Sequence, residues 1–509
     1  RRLQHEPAQG LLRALRQGVR HHRPRPPERR LDELFPQGRE QFDYSLPERG
    51  GKISWERLFR IADRCLHLYN DIGLNPGRTI SIRHCTEWIV RRQEADGAWA
   101  GIQPPWIYSL LALKTEGYAL THPVIAKGLE ALNAHWSYEK DGGVHIQACE
   151  SPVWDTLLAL MAMQDCEVDH DATPAMQRAV EWVLKQQADA PGDWQVKVPA
   201  VTPGGWSFER ANTWYPDVDD TGVALIVLAR LRAGGARGHR LDTAIERARE
   251  WVVAMQSRNG GWAAFDKDND KAILTKIPFC DFGEALDPPS VDVTGHVLES
   301  FGLLGMGSSN PVVARALEYI RAEQEPDGSW FGRWGVNHIY GTAAVLPALQ
   351  AVGEDMGAAY VGRAADWIAQ HQNSDGGWGE SPGSYMDPEL RGTGESTASQ
   401  TAWALMALLA VGREADRAHI ERGVAYLLAT QSKGTWEEPH YTGTGFPGYG
   451  LGQRIDLGRR DLDEKLQQGT ELARGFMINY NLYRHYFPLM ALGRARRFLR
   501  SELGAGHRE

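Results

Sequence analysis

Between Tyr215 and Thr221 the sequence reads YPDVDDT, which crowds Asp217, Asp219 and Asp220 into a single turn. Three carboxyls this close cannot all ionise freely. Each charge raises the cost of the next and desolvation adds to it, so at least one carboxyl keeps its proton near neutral pH and can serve as a general acid. The chemistry this suggests is proton donation without a metal. The same residues also spell the start of a helix: Asp217 is a favoured N-cap, Pro216 closes the preceding loop, and Asp220 stands three residues on, where a capping arrangement would be completed. An apolar helix is predicted just after the turn, over residues 223–231. Capping and acid chemistry are compatible, because a helix N-terminus favours whichever carboxyl holds the negative charge.

The elements that must hold this turn announce themselves as a repeat. Trp88 leads to Gln93, Gly97 and Trp99; Trp251 leads to Gln256, Gly260 and Trp262; Tyr319 leads to Gln324, Gly328 and Trp330; and Trp367 leads to Gln372, Gly376 and Trp378. Two further copies are imperfect, one read as Trp182, Gln187, Gly192 and Trp194, the other as Tyr426, Gln431, Gly434 and Trp436. Each copy has the composition of a helix end, a glycine turn and an anchoring indole, so the glutamines are expected to bond exposed backbone groups and the tryptophans to pack. They are assigned no chemistry. Apolar helical stretches lie between the copies, and paired helices at this spacing predict an all-α chain built of α/α barrels, each closing around a central cavity.

A length of 509 residues suffices for two domains with sizeable cores, and a net charge of −9 without a basic stripe disfavours nucleic acid as a partner. The five cysteines (Cys65, Cys85, Cys149, Cys166 and Cys280) are scattered and lack metal-ligand spacing, as expected of a protein in a reducing cytoplasm. No apolar run is long enough to cross a bilayer, and no signal-peptide core is seen. Residues 1–30, rich in Arg, His and Pro, are expected to be disordered. Over residues 54–73 an amphipathic pattern (Trp55, Leu58, Phe59, Ile61, Ala62, Cys65, Leu66, Tyr69, Ile72) predicts a helix whose apolar face either packs against neighbours or dips into one membrane leaflet. The run from Asp266 to Asp270 lacks the glycine of a calcium loop and reads as a solvated surface loop.

Several longer strings, taken with the acid turn and the repeats, give the chain a resemblance to the bacterial squalene-hopene cyclase family. They are GIQPPW from Gly101, SPVWDT from Ser151, PFCDFGE from Pro278, WFGRWGVN from Trp330 and GTGFPG from Gly443, and the likeness runs from about Leu31 to about Phe498. The resemblance implies two α/α barrels: a partial first one over residues 31–137 and a catalytic one over residues 138–509. It implies an acid that protonates squalene and starts a cationic polycyclisation to hopene or hopanol, with no cofactor and no metal. On this reading Asp219 is the acid, flanked by Asp217 and Asp220, with His296 as its hydrogen-bond partner, Asp292 one helical turn from His296, and Tyr340 close by through water. The cation path is lined by Trp154, Phe208, Phe265, Trp334, Phe446, Phe476, Tyr480 and Tyr483, and Gln103 positions a water at the far end. The family further implies a homodimer seated monotopically on the cytoplasmic side of a bacterial membrane.

The chain departs from the family pattern in four ways. It joins the pattern partway through the first barrel; it carries a charged insertion over residues 450–475; Phe265 stands where a Tyr is common; and Arg210 stands where an apolar aromatic is expected, so it must point away from the cation path or pair with an acid such as Glu209. Three other readings compete: an oxidosqualene cyclase, which the three-Asp turn disfavours; a class II diterpene cyclase, which the C-terminal aromatics disfavour; and an inactive fragment or noncatalytic toroid binding a prenylated partner.

Overall fold

A computed structural model describes residues 54–71, 76–271, 286–446 and 476–505, apart from Thr213 and Met386. The expectations placed on residues 1–30, on Cys280, on the string from Pro278 and on the insertion at 450–475 lie outside the described residues. By internal packing the chain divides into two units, residues 1–150 with 276–280, and residues 151–275 with 281–509. The first unit holds α1 (Trp55–Asp71), α2 (Arg78–Arg91), α3 (Gln103–Thr115) and α4 (Pro123–Ala131), followed by a hairpin of β1 (Ser137–Lys140) and β2 (Gly143–Ile146). Its core gathers Trp99, Trp106, Leu113, Val124, Ile125 and Trp136. The apolar residues Trp55, Leu58, Ile61, Leu66 and Leu68 of α1 are exposed.

The second unit is an α/α barrel. Its inner helices are α5 (Pro152–Asp165), α7 (Val218–Ala233), α9 (Val291–Leu303), α11 (His338–Ala351), α13 (Ala398–Val411) and α15 (Tyr483–Ala505); each packs on the next, and α15 returns to α5 to close the ring. Alternating with them in sequence are the outer helices α6 (Pro174–Gln186), α8 (His239–Met255), α10 (Pro311–Ala322), α12 (Ala359–Gln370) and α14 (Arg417–Thr430). The division follows from the sequence. The inner helices before α15 are mainly apolar, and every residue of α13 from Ala398 to Ala410 is buried. Outer helices bury one stripe only, as α12 does with Val361, Ala364, Ala365 and Ile368. A short pair of strands, β3 (Gly443–Phe446) and β4 (Phe476–Ile478), brings Phe446 opposite Phe476, so the chain leaves and re-enters on adjacent strands around the inserted segment.

The repeat staples outer helices together. Gln256 Nε2 donates to the carbonyl of Gly260 in its own turn (2.8 Å) and to that of Val312 in the first turn of α10 (2.9 Å). Gln93, Gln324 and Gln372 do the same toward α4, α12 and α14. The indole of each copy then reaches back to a carbonyl of the preceding helix, Trp262 to Val252 and Trp378 to Ile368 at 2.7 Å each. Glycine is needed in the turn: Gly376 has φ 90°, and a Cβ there would lie 2.7 Å from the Arg422 carbonyl oxygen.

One copy differs from the sequence reading. Gln187 bonds the carbonyls of Gly204 and Ala244, and the indole that reaches back, to Val183, belongs to Trp206. Gly204 and Trp206 therefore close this copy. The segment carrying Gly192 and Trp194 is an excursion between helix end and turn, and its length hid the true spacing. Because Gln256 is buried and serves two carbonyls, Gln256→Ala should cost about 2–3 kcal/mol through unpaired backbone oxygens, read as a lowered midpoint in thermal unfolding.

Candidate active site

The acid turn is the first turn of α7 rather than a segment ahead of it. Asp217 is the N-cap, its Oδ1 accepting from the backbone N–H groups of Asp219 (2.7 Å) and Asp220 (3.3 Å). Capping and acid clustering therefore coexist, since one carboxylate takes the cap and leaves the next free for another partner. That partner is His296 on α9, whose Nδ1 lies 2.6 Å from Asp219 Oδ1. Two glycines let the helices come close enough: a Cβ on Gly222 of α7 would sit 3.3 Å from Val297 N, and one on Gly295 of α9 would sit 2.6 Å from the Ala344 carbonyl oxygen of α11.

Burial pushes Asp217 and Asp220 well above the usual carboxylate range, and neighbouring charges add to it, that of Asp219 on Asp217 and those of Asp217 and Asp219 on Asp220. For His296, burial opposes the charged form, but the adjacent Asp219, its hydrogen bond, and the charges of Glu299 and Asp292 prevail and lift the imidazole to about 8. The imidazole is thus cationic at neutral pH, and it faces Asp219 at the positive end of a helix. Tyr340 of α11 lies with its ring 6.4 Å from that of His296 and 4.7 Å from Trp403, and burial keeps its phenol protonated.

Asp292 makes no hydrogen bond to His296 or Asp219 among the described residues. Its Oδ2 accepts from the backbone N–H groups of Arg333 (3.0 Å) and Trp334 (2.8 Å), fixing the loop that carries Trp334. Asp287, which the sequence did not single out, acts alike. Its Oδ2 accepts from Phe265 N (2.7 Å) and Asp266 N (2.8 Å), and burial raises its pKa to about 6 against the pull of Arg333 and these N–H groups. A buried carboxylate thus grips the backbone beneath each of two wall aromatics.

The expected aromatics of this unit fall into two groups of contacts. Phe208 meets Phe265 with centroids 6.5 Å apart, and Phe265 meets Trp334 at 6.2 Å. Trp154 lies 6.2 Å from His296, and its indole donates to the Tyr483 hydroxyl at 3.4 Å. Tyr483 stacks on Tyr480 at 4.4 Å. The side chains of Phe446 and Phe476 lie outside the described residues. Gln103 heads α3 in the first unit, its N–H bonded to the Ala148 carbonyl. Arg210 is exposed, and Glu209 beside it is buried and accepts from Ala211 N. The loop at 266–270 corrects the solvated reading: residues 266–269 are half-buried, Asp268 accepts from Arg258 N, and Lys267 donates to the Ala254 carbonyl.

Sequence reasoning also missed Trp403, which bridges Tyr340 and Tyr483, and the hydrogen bond from the buried Tyr486 to the half-buried Asp155, whose carboxyl desolvation lifts to about 6. A signal for the inner layer was present. Thr221, Thr294, Thr342 and Thr401 each accept from the N–H of a repeat tryptophan, and two residues before them stand Asp219, Asp292, Tyr340 and Ser399. The site is built from equivalent positions of successive repeats.

Comparison with known proteins agrees with this geometry. Residues 150–451 match a family model described as squalene-hopene cyclase C-terminal domain, and residues 15–141 match its N-terminal counterpart. A squalene–hopene cyclase of Alicyclobacillus acidocaldarius is 46% identical over 92% of this chain and 69% of its own length. A dammaradiene synthase of Dryopteris crassirhizoma is 39% identical and a squalene–hopene cyclase of Bradyrhizobium diazoefficiens 38% identical, each over 92% of this chain and 67% of its own length.

Proposed function

Because this chain belongs to the squalene-hopene cyclase family, we propose that it protonates squalene at Asp219 and directs the resulting cation through polycyclisation to hopene or hopanol. The observation that carries this reading is the 2.6 Å contact between Asp219 and His296 at the head of an inner helix. With Oδ1 held by the imidazolium, Asp219 carries its transferable proton on Oδ2. When that proton adds to the terminal double bond, the carboxylate left behind is met at once by the charge of His296 and by the N-terminus of α7. Asp217, by taking the cap, frees Asp219 from that duty.

A carbocation has no water to solvate it in an apolar cavity, and ring faces stabilise it by about 2 kcal/mol each when desolvated. The loop-borne row Phe208, Phe265 and Trp334, with Trp154 on α5, Tyr483 at the head of α15 and Tyr480 just before it, supplies such faces. Phe265 keeps the ring face that a Tyr would give there and omits the hydroxyl. Gln103, Phe446 and Phe476 are assigned the roles the family pattern gives them. The exposed apolar residues of α1 support a monotopic seat on the cytoplasmic face of a bacterial membrane, and a homodimer there fits the family.

The test is to incubate the detergent-solubilised full chain with squalene and analyse the lipids by mass spectrometry: pentacyclic hopene or hopanol is expected, and unchanged squalene contradicts the reading. In the same assay Phe265→Ala should shift up to about 30-fold of the flux toward partly cyclised products, the equivalent of one lost ring face at ~2 kcal/mol.

A further inference from the structure

Each cyclisation that starts at Asp219 leaves a carboxylate there, while the proton lost from the final cation departs elsewhere. A second turnover therefore waits on a new proton, and Asp219 is sequestered at 6% exposure with His296 half-buried beside it. Inside the barrel a cavity of about 40 Å³ is lined by Trp154, His296, Glu299, Tyr340, Ala343 and Arg494, among others. It has room for about two water molecules. Glu299 follows His296 by one turn on the same face of α9.

Glu299 is also tied to the outside. Its Oε1 accepts from Arg230 Nη2 at 3.0 Å and lies 3.9 Å from Arg494 Nη2, while Oε2 takes no hydrogen bond among the described residues. Arg230, Arg494 and Arg497 converge on Asp165 at 3.4, 2.9 and 2.8 Å. Beyond this cluster a depression of about 490 Å³ is lined by Asp165, His170, Arg230 and Arg497. The arginines have a structural reason to be here, since the inner helices α5, α7 and α9 end nearby and cations offset their negative ends. Glu299 answers Arg230 and Arg494 but stands against the dipole of its own helix, near whose C-terminal end it lies, and an apolar residue in place of a buried ion pair is often as stable.

We propose that Glu299 is the relay through which water in the outer depression re-protonates the Asp219–His296 pair, an inference that rests on the cyclase reading. After donation, His296 passes its Nδ1 proton to Asp219 and becomes neutral. The Glu299 carboxylate takes up a proton from hydronium in the depression and hands it, through water in the cavity, to the vacated Nδ1, which restores the imidazolium. One proton enters for each one released at the terminal step. The charged and titratable groups facing Glu299 are Arg230 of α7, Arg494 of α15, Asp165 of α5, and His296 with Tyr340 on the cavity side.

The experiment compares the first turnover with the steady state by rapid quench, using the full chain in detergent and squalene. Glu299→Gln should give a burst of one product per enzyme at the parental rate, then a steady rate at least tenfold lower, partly restored by millimolar formate as an alternative proton carrier. Ala343→Val, which narrows the cavity without touching an ion pair, should give the same burst and a slowed steady state even if Glu299→Gln fails to fold. An equal slowing of both phases in either folded variant, or an unchanged steady rate, overturns the relay. Absence of any product from the parental chain would instead remove the cyclase reading itself.

Discussion

Replacing Asp219 by Asn should lower the rate of squalene consumption by about four orders of magnitude while leaving the fold and the thermal midpoint nearly unchanged. A positioned general acid contributes up to about 10⁴-fold. Asn cannot donate a proton to an alkene, and no neighbour can replace it. Asp217 is committed to capping α7 through two N–H groups, and Asp220 makes no hydrogen bond to the imidazole. The side chain is nearly isosteric, and the amide oxygen can still accept from His296, so packing is preserved. The checks are product formation over long incubation and a thermal melt of the same sample. A large loss of both activity and stability would assign Asp219 to structure instead.

The second large effect belongs to His296. His296→Gln keeps a hydrogen-bonding group beside Asp219 and removes the cation, so turnover should fall about 100-fold, matching the ~3 kcal/mol that a hydrogen bond to a charged group is worth. The pH dependence has a definite sign. With its pKa raised to about 8, the imidazole is cationic below that value and neutral above it. Parental activity should therefore decline as pH rises through about 8, and the decline should vanish in His296→Gln. Stability follows the same direction. A histidine whose folded pKa exceeds its unfolded value of about 6.5 contributes fully below that pH and loses the contribution as pH rises through about 8. A pH–rate profile of the variant that still steps down near 8 would place the controlling group elsewhere.

Much of the barrel could be read from the chain because its repeat carries its own physics. A glutamine that bonds two carbonyls, a glycine at positive φ and an indole that reaches back must recur at fixed spacing, and the apolar inner helices needed no further signal. The copy at Gln187 was misread because an excursion of the chain separates glutamine from its true Gly204 and Trp206, and a second Gly–Trp pair at Gly192 and Trp194 imitated the motif. The three carboxylates of the acid turn were visible. The cap at Asp217 was legible too, and what spacing could not say was which of the other two meets the histidine, since that depends on the azimuth of α7 against α9. Asp287 stayed hidden for a related reason: its partners are backbone N–H groups, which leave no mark in the sequence. The sheet register that sets Phe446 opposite Phe476 is likewise a long-range pairing across 29 intervening positions, 447–475.

The most direct test of the central claim is cyclisation in D₂O with the deuterium located by NMR. Protonation by a fixed acid predicts one deuterium, in a single configuration, on the ring carbon next to the gem-dimethyl carbon of the product, and no labelled product from Asp219→Asn. The same singly labelled product formed by Asp219→Asn at the parental rate would contradict it.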